Sequence, residues 1–151
     1  MLEEIYSDAH FLNENGKAKS CLLLLLCMID SIAKQKNPTI TSQKERYCSY
    51  LKSKLILFEE DASYRIEEKG ECIHFSEIIY TYFRCFFVHE LDDRANTNYE
   101  VQLEYVDPGR FVFDGLTLMH RPKKKFIVKA RKLIDLLFKI VESELIAGQN
   151  E

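Results

Sequence analysis

An arginine and a histidine, Arg84 and His89, stand five residues apart in the aromatic stretch YTYFRCFFVHEL. A guanidinium is always charged and an imidazole changes its charge near neutral pH, so together they could form a catalytic pair. The alternative is that both are polar groups satisfied inside a core, with Arg84 paired to a carboxylate such as Glu77 or Glu90. In either case an explanation is needed, because removing an unpaired guanidinium from water costs several kcal/mol.

The segment that carries this pair is predicted to be a helix from about Ser76, its N-cap, to Leu91. Apolar residues fall on nearly every face of it, which indicates a helix covered on all sides by its own domain or by a second subunit. On a regular α-helix, residues five apart differ by about 140°. Arg84 and His89 of one chain are therefore predicted to point in different directions.

The elements around this helix are also predicted to be mainly helical. Helical spacing of apolar residues predicts a first helix over about 8–34 and a last helix over about 122–147. Between them, Ser42 and Glu45 have the spacing of a capping box, and they open a helix with Tyr47, Leu51, Leu55 and Phe58 on one stripe.

Two segments do not follow the helical pattern. The polar stretch 59–70 is interpreted as a fraying helix end and a loop. Strict alternation in NYEVQLEYV, the turn DPGR and the hairpin signal DG predict a small antiparallel three-strand β-meander at about 99–119.

Length and composition indicate one globular domain over residues 1–151. The chain is 46% hydrophobic and 30% charged, which argues against disorder, and its net charge is −3. That charge gives no general reason to bind nucleic acid, so any such binding must come from a local patch.

The cysteines and the longest apolar run indicate a cytoplasmic protein. Five scattered cysteines without a C-x-x-C pattern are interpreted as free thiols in a reducing compartment. The run CLLLLLCMI, 21–29, is too short to span a bilayer and is predicted to be a buried helix. Acidic residues near the start argue against a signal peptide, and no membrane association is expected.

The stretch RCFFVHE fits the R-x(4–6)-H motif and resembles the HEPN superfamily, the higher eukaryote and prokaryote nucleotide-binding domains. The resemblance covers about 8–91 and 122–147 and implies a bundle of four to five helices, with the meander as an insertion. It implies metal-independent RNA cleavage of the toxin or phage-defence kind, at a cleft formed by a homodimer through the helix 76–91. His89 would exchange protons with the 2′-hydroxyl or the leaving oxygen, and Arg84 would hold the scissile phosphate.

Two positions depart from the family pattern. Catalytic members often carry a polar residue directly after the arginine, and here that residue is Cys85. A toxin subgroup has tyrosine two residues after the histidine, where this chain has Leu91. Tyrosine modification is therefore not expected. The alternative function is a non-catalytic, dimeric interaction or nucleotide-sensing module on the same bundle.

A basic segment, HRPKKKFIVKARK, covers the start of the last predicted helix. Lys125, Lys129 and Lys132 would share one helical face and are candidates for contact with RNA phosphates. The alternative is a solvated face that balances the acidic runs FEEDA and RIEEKGE.

No cofactor or metal is expected. The stretch HELDD lacks the second histidine of the H-E-x-x-H pattern, because Asp93 stands in its place. His10, His74 and His120 have no partner motifs and are interpreted as structural or exposed. The expected partners are a second copy of the chain, RNA, and an antitoxin or regulatory protein.

Overall fold

The chain is mainly α-helical, and the computed structural model describes residues 1–58, 65–68, 71–84, 99–104 and 124–148. None of the described helices is long and apolar enough to cross a membrane. The helices are α1 Leu2–Glu14, α2 Ala18–Lys36, α3 Gln43–Phe58, α4 Phe75–Ile78, which continues as a π-helix over Ile79–Arg84, and α5 Ala130–Gly148.

The first predicted helix is wrong in its extent, because two helices occupy its place. A tight turn separates α1 from α2: Gly16 has φ +70°, and the backbone N–H of Lys17 donates to the carbonyl of Leu12 at 2.8 Å. Glycine adopts this left-handed conformation without a steric penalty, so the pair Asn15-Gly16 ends α1 and lets α2 begin. α1 then packs against α2.

α2 lies at the centre of the core and packs against α1, α3, α5 and the π-helix. The prediction that the run 21–29 is a buried helix is confirmed, since most of its side chains are inaccessible to solvent. Burying one leucine or isoleucine stabilises a fold by about 1.5–3 kcal/mol, so α2 contributes much of the apolar stabilisation. Its buried residues are Cys21, Leu22, Leu25, Leu26, Met28, Ile29, Ile32 and Ala33.

α3 begins as the capping pattern predicts. The hydroxyl of Ser42 accepts a hydrogen bond from the backbone N–H of Glu45 at 3.3 Å, which satisfies one of the unpaired N–H groups of the first turn. The predicted stripe is also present: Tyr47, Leu51 and Leu55 are buried, and Phe58 packs against the core.

α4 begins two residues earlier than predicted. Its N-cap is His74, whose Nδ1 accepts from the backbone N–H of Ser76 at 3.1 Å. Ile78, Ile79 and Phe83 are buried, whereas Thr81 is exposed. The described part of the predicted central helix therefore has one face in solvent.

The last helix, α5, begins at Ala130 rather than near residue 122. The preceding residues, Lys124–Lys129, form a strand, β4, which pairs in parallel with β3, Tyr99–Glu104. Valine, isoleucine and phenylalanine in KKFIVK favour a strand, which explains the error. The described partner of β3 is thus not the antiparallel one expected, and the remainder of the predicted meander, 105–119, lies outside the described residues.

The polar segment after α3 contains strands where only a fraying end and a loop were predicted. β1, Arg65–Glu68, pairs antiparallel with β2, Glu71–His74. Only two residues, the second of them Gly70, separate these strands in the sequence, as in short β-hairpins.

α2 and α5 run in the same direction. Their first turns meet, because Ala18 and Ala130 line a common cleft, and their last turns are joined by a salt bridge of 3.1 Å from Lys36 Nζ to Glu144 Oε2. Both helices therefore present their N-terminal ends to one end of the core, which bears on the cleft described below.

Candidate functional site

Arg84 is the last residue of the π-helix, and its side chain is buried. Its Nη2 donates to Oδ2 of Asp30, on α2, at 2.8 Å. Arg84 is only 9% exposed, so this ion pair offsets the cost of removing the guanidinium from water. This partner differs from the two carboxylates that the sequence suggested. Glu77 forms a salt bridge with Lys44 at 3.2 Å, and Glu90 lies outside the described residues.

The ring of Tyr80 covers the guanidinium from a second direction. Arg84 Cζ lies 5.4 Å from the centroid of this ring, within the range of a cation–π contact. Tyr80 in turn packs on Tyr47 of α3, with ring centroids 5.3 Å apart. Elements from three parts of the chain therefore fix the position of the Arg84 side chain.

Asp30 is only partly hydrogen-bonded by the described residues. Its Oδ2 accepts from Arg84 and also from Gln43 Nε2 at 2.9 Å. Its Oδ1 is buried and has no hydrogen-bond partner among the described residues. Buried polar atoms are usually hydrogen-bonded, so a carboxylate oxygen without a described partner, beside a candidate catalytic arginine, needs an explanation.

The hydroxyl of Tyr47 has the same property. Tyr47 is fully buried, and its hydroxyl has no hydrogen-bond partner in the part of the chain that the structure describes. Burial, and secondarily the negative charge of Asp30, raise the pKa of Tyr47 well above its usual value. The phenol therefore stays protonated and can donate a hydrogen bond. We call Arg84, Asp30, Gln43, Tyr47 and Tyr80 the Arg84 site.

The nearby cysteines are not activated nucleophiles. Burial raises the pKa of the Cys27 thiol; Arg84 lowers it and Asp30 raises it, so the net shift is upward. Burial raises the pKa of Cys21 to about 11. Both are thiols at neutral pH, whereas nucleophilic attack requires a thiolate. Cys21, Cys27 and Cys48 form no disulfide, as expected, and the side chains of Cys72 and Cys85 lie outside those described.

His89 lies outside the described residues, so the structure gives no distance between it and Arg84. The described π-helix covers Ile79–Arg84, so the 140° separation of Arg84 and His89 stays a prediction. In a π-helix the hydrogen bonds join residues five apart, and the 140° separation of such residues applies only to a regular α-helix. Within the described π-helix, Ile79 and Arg84 have this spacing, and both are buried.

The three lysines predicted to contact RNA do not share a helical face. Lys125 and Lys129 belong to β4, and Lys132 lies in the first turn of α5, where it is half-buried. The common face assumed a helix that begins near residue 122, so that geometric argument is wrong. A different set of basic residues lies together at the start of α5, and the sequence did not predict it: Lys17, Lys19 and Arg131.

Sequence reasoning also missed Asp30. It lies 54 positions before Arg84, and no local pattern joins the two. One signal was present: Asp30 is the only acidic residue in the otherwise apolar helix Ala18–Lys36. An isolated carboxylate in a buried helix needs a partner, and a buried arginine needs one too.

Neither a metal centre among the described residues nor similarity to a known protein indicates the function of the Arg84 site. Among the residues described, no group of three or more histidine, cysteine, aspartate or glutamate side chains could hold a metal ion; the stretch HELDD lies outside them. No family model, curated protein or solved structure matches the chain.

Proposed function

We propose that the chain is a HEPN-like domain that cleaves RNA without a metal ion, using Arg84 and His89. The observation that carries the proposal is the burial of Arg84 in a helical core, with its guanidinium held between Asp30 and Tyr80. Such positioning suits a residue that must meet a phosphate in one defined orientation.

The division of roles follows from the chemistry of the two side chains. Arg84 stabilises the charge that develops on the scissile phosphate, because a guanidinium can donate two parallel N–H bonds to phosphate oxygens. His89 exchanges protons with the 2′-hydroxyl and the leaving oxygen, which suits a group that titrates near neutral pH. The site is completed by a second copy of the chain, through the segment 76–91. A toxin or phage-defence role, with an antitoxin or regulatory protein as a further partner, is part of this proposal.

One observation favours the second candidate, a non-catalytic dimeric or nucleotide-sensing module. Arg84 is already paired with Asp30, as expected for a polar group that is satisfied inside a core. Cys85, which stands where many catalytic members have a polar residue, favours the same alternative.

Cleavage of end-labelled RNA in EDTA by the purified protein distinguishes these functions. We expect the wild type to cleave and to leave cyclic-phosphate ends. Arg84→Gln and His89→Gln should lose at least a hundredfold in rate, which corresponds to about 2.7 kcal/mol in the barrier. Glutamine at position 84 retains N–H donors but carries no charge and cannot form the two-pronged phosphate contact.

Arg84→Lys sharpens the test, because it keeps the charge and loses the planar fork. We expect its rate to lie near that of Arg84→Gln. Lys52→Gln, an exposed change on α3, is the control and should cleave as the wild type does. Light scattering and circular dichroism must show that every variant is folded and has the wild-type mass. The absence of cleavage by the wild type across varied RNAs would contradict the proposal and favour the binding module.

A further inference from the structure

A cleft of about 570 Å³ lies where the turn between α1 and α2 meets the first turn of α5. Three of its lining residues are basic: Lys17 and Lys19 from the start of α2, and Arg131 from α5. The polar side chains of Asn13 and Ser20 also line it, and no acidic residue is among its described lining residues. A concentration of positive charge at this position is unexpected in a chain whose net charge is −3.

The electrostatics of the cleft favour a polyanion. Lys17 and Arg131 are exposed, so each side chain stays hydrated until a ligand binds and can reach that ligand. α2 and α5 both begin at the cleft, and their dipoles add to the positive potential of the three side chains. Phosphate suits such a cleft, because arginine binds it through a planar fork and lysine binds it as a point charge.

Helix geometry relates this cleft to the Arg84 site. Asp30 lies eleven residues after Lys19 on the same helix, α2. Eleven residues correspond to a rotation within about 20° of three full turns and a rise of about 17 Å. Lys19 and Asp30 thus project from the same side of α2, and Arg84 is bound to Asp30 at 2.8 Å.

We propose that this cleft binds backbone phosphates of the same RNA strand whose scissile phosphate Arg84 holds. The inference rests on the proposed RNA cleavage and adds the position of a second contact on the RNA. Successive nucleotides of a stacked strand rise about 3.4 Å along its axis, so a strand that runs along α2 meets the cleft about five nucleotides from the scissile bond. Binding at the cleft sets the register of the strand, while the Arg84 site carries out the chemistry.

Anisotropy of a fluorescent, fully 2′-O-methylated RNA measures this binding without cleavage, since the 2′-hydroxyl is absent. For a 12-nucleotide RNA, we expect the double variant Lys17→Gln/Arg131→Gln to bind about tenfold more weakly than the wild type. The slope of log K against log salt should decrease by about 1.4, because two phosphate contacts to a single strand are lost. A 4-nucleotide RNA is too short to reach both sites, so the variant should lose less affinity for it than for the 12-nucleotide RNA.

The double variant Lys52→Gln/Lys139→Gln is the matched control. Both lysines are exposed and lie on α3 and α5, outside the cleft lining, and the change in net charge is the same. We expect the control to bind the 12-nucleotide RNA within twofold of the wild type. All changes are at exposed positions, so melting temperatures should stay within about 2 °C of the wild type.

Three outcomes would overturn the inference. The cleft variant could bind the 12-nucleotide RNA as the wild type does, or it could lose the same factor with the 4-nucleotide RNA. A mononucleotide could also displace the long RNA completely from the wild type at micromolar concentration, which would identify a small phosphate ligand instead. The cleavage assay is a separate readout: wild-type cleavage together with unchanged RNA binding by the cleft variant refutes this inference alone, and cleft binding without wild-type cleavage refutes the nuclease alone.

Discussion

Two carboxylates of the helical core, Glu144 in α5 and Asp30 in α2, differ in how completely their oxygens are hydrogen-bonded. Glu144 receives Lys36 Nζ at 3.1 Å, Lys54 Nζ, and the hydroxyl of Tyr50 at 3.2 Å. Both of its oxygens are thus paired, and its side chain is 7% exposed. We call these four residues the Glu144 cluster. Asp30 has both donors on one oxygen and no described partner on the other.

This difference separates a structural role from a functional one. The Glu144 carboxylate joins α2, α3 and α5, and each of its two oxygens already has a partner. A buried carboxylate oxygen and a buried tyrosine hydroxyl that lack partners among the described residues would cost stability, and native proteins tolerate such costs mainly at functional sites. We therefore expect the Glu144 cluster to support the fold and the Arg84 site to support activity.

The largest expected effect on stability is that of Glu144→Ala. It leaves two lysines and a tyrosine hydroxyl without their common acceptor, and removing one partner of a buried ion pair costs about 3 kcal/mol or more. We expect a loss of about 3 kcal/mol in the free energy of unfolding, measured by urea denaturation at pH 7. Glu142→Ala, at an exposed position of the same helix, should change it by less than about 0.5 kcal/mol.

Asp30→Ala should cost less stability than Glu144→Ala. It leaves Arg84 without its described ion pair, but Arg84 keeps its contact with the Tyr80 ring, only one oxygen of Asp30 has a partner among the described residues, and the Asp30 side chain is 21% exposed, so water can enter. We expect a loss of about 1–2 kcal/mol in the same denaturation experiment. Asp8→Ala, an exposed carboxylate on α1, is the control. A loss equal to that of Glu144→Ala would mean that both carboxylates stabilise the fold equally, and the proposed difference between them would be wrong.

The sequence predicted the parts of this comparison that depend on local patterns. Apolar spacing placed the buried faces of α2 and α3, and Ser42 marked the start of α3. The same patterns misled where two structures share one signal. The apolar spacing runs on through the Asn15-Gly16 turn, and lysines four apart fit a strand as well as a helix.

Contacts between distant segments could not be predicted in this way. The pairs Asp30–Arg84 and Tyr50–Glu144 join residues 54 and 94 positions apart. Each depends on how two helices are packed, and no local pattern in a single sequence encodes that packing. The sequence therefore identified Arg84 as a candidate, and the fold supplied its partner.

A pair of tyrosines gives a smaller and more specific test. Tyr50→Phe removes a donor to Glu144 and should cost about 1 kcal/mol in the free energy of unfolding. Tyr47→Phe removes a buried hydroxyl that has no described partner, so it should be neutral or stabilise the fold slightly. Both changes delete one oxygen atom from a buried ring, and each is therefore the control for the other. A loss of 1 kcal/mol or more in Tyr47→Phe would show that this hydroxyl is paired and that the Arg84 site is structurally complete.

The smallest expected effect is the pH dependence of the Glu144 cluster. Burial alone would raise the pKa of Glu144, but the hydrogen bonds and charges of Lys54 and Lys36 outweigh it, so the pKa is lowered in the folded state. A carboxyl group whose folded pKa is lowered contributes stability above its unfolded pKa, about 4.3, and loses that contribution as the pH falls through the folded value. The difference in unfolding free energy between the wild type and Glu144→Gln should therefore be constant from pH 7 to about 5 and should shrink below about 4.3. Urea denaturation at pH 7, 5, 4 and 3 measures it, with Glu142→Gln as the control for the lost charge. If the difference in unfolding free energy kept its full size at pH 3, Glu144 would stabilise the fold by its shape rather than by its charge. Glu144 and Asp30 would then differ only in the number of hydrogen bonds that they accept from described residues.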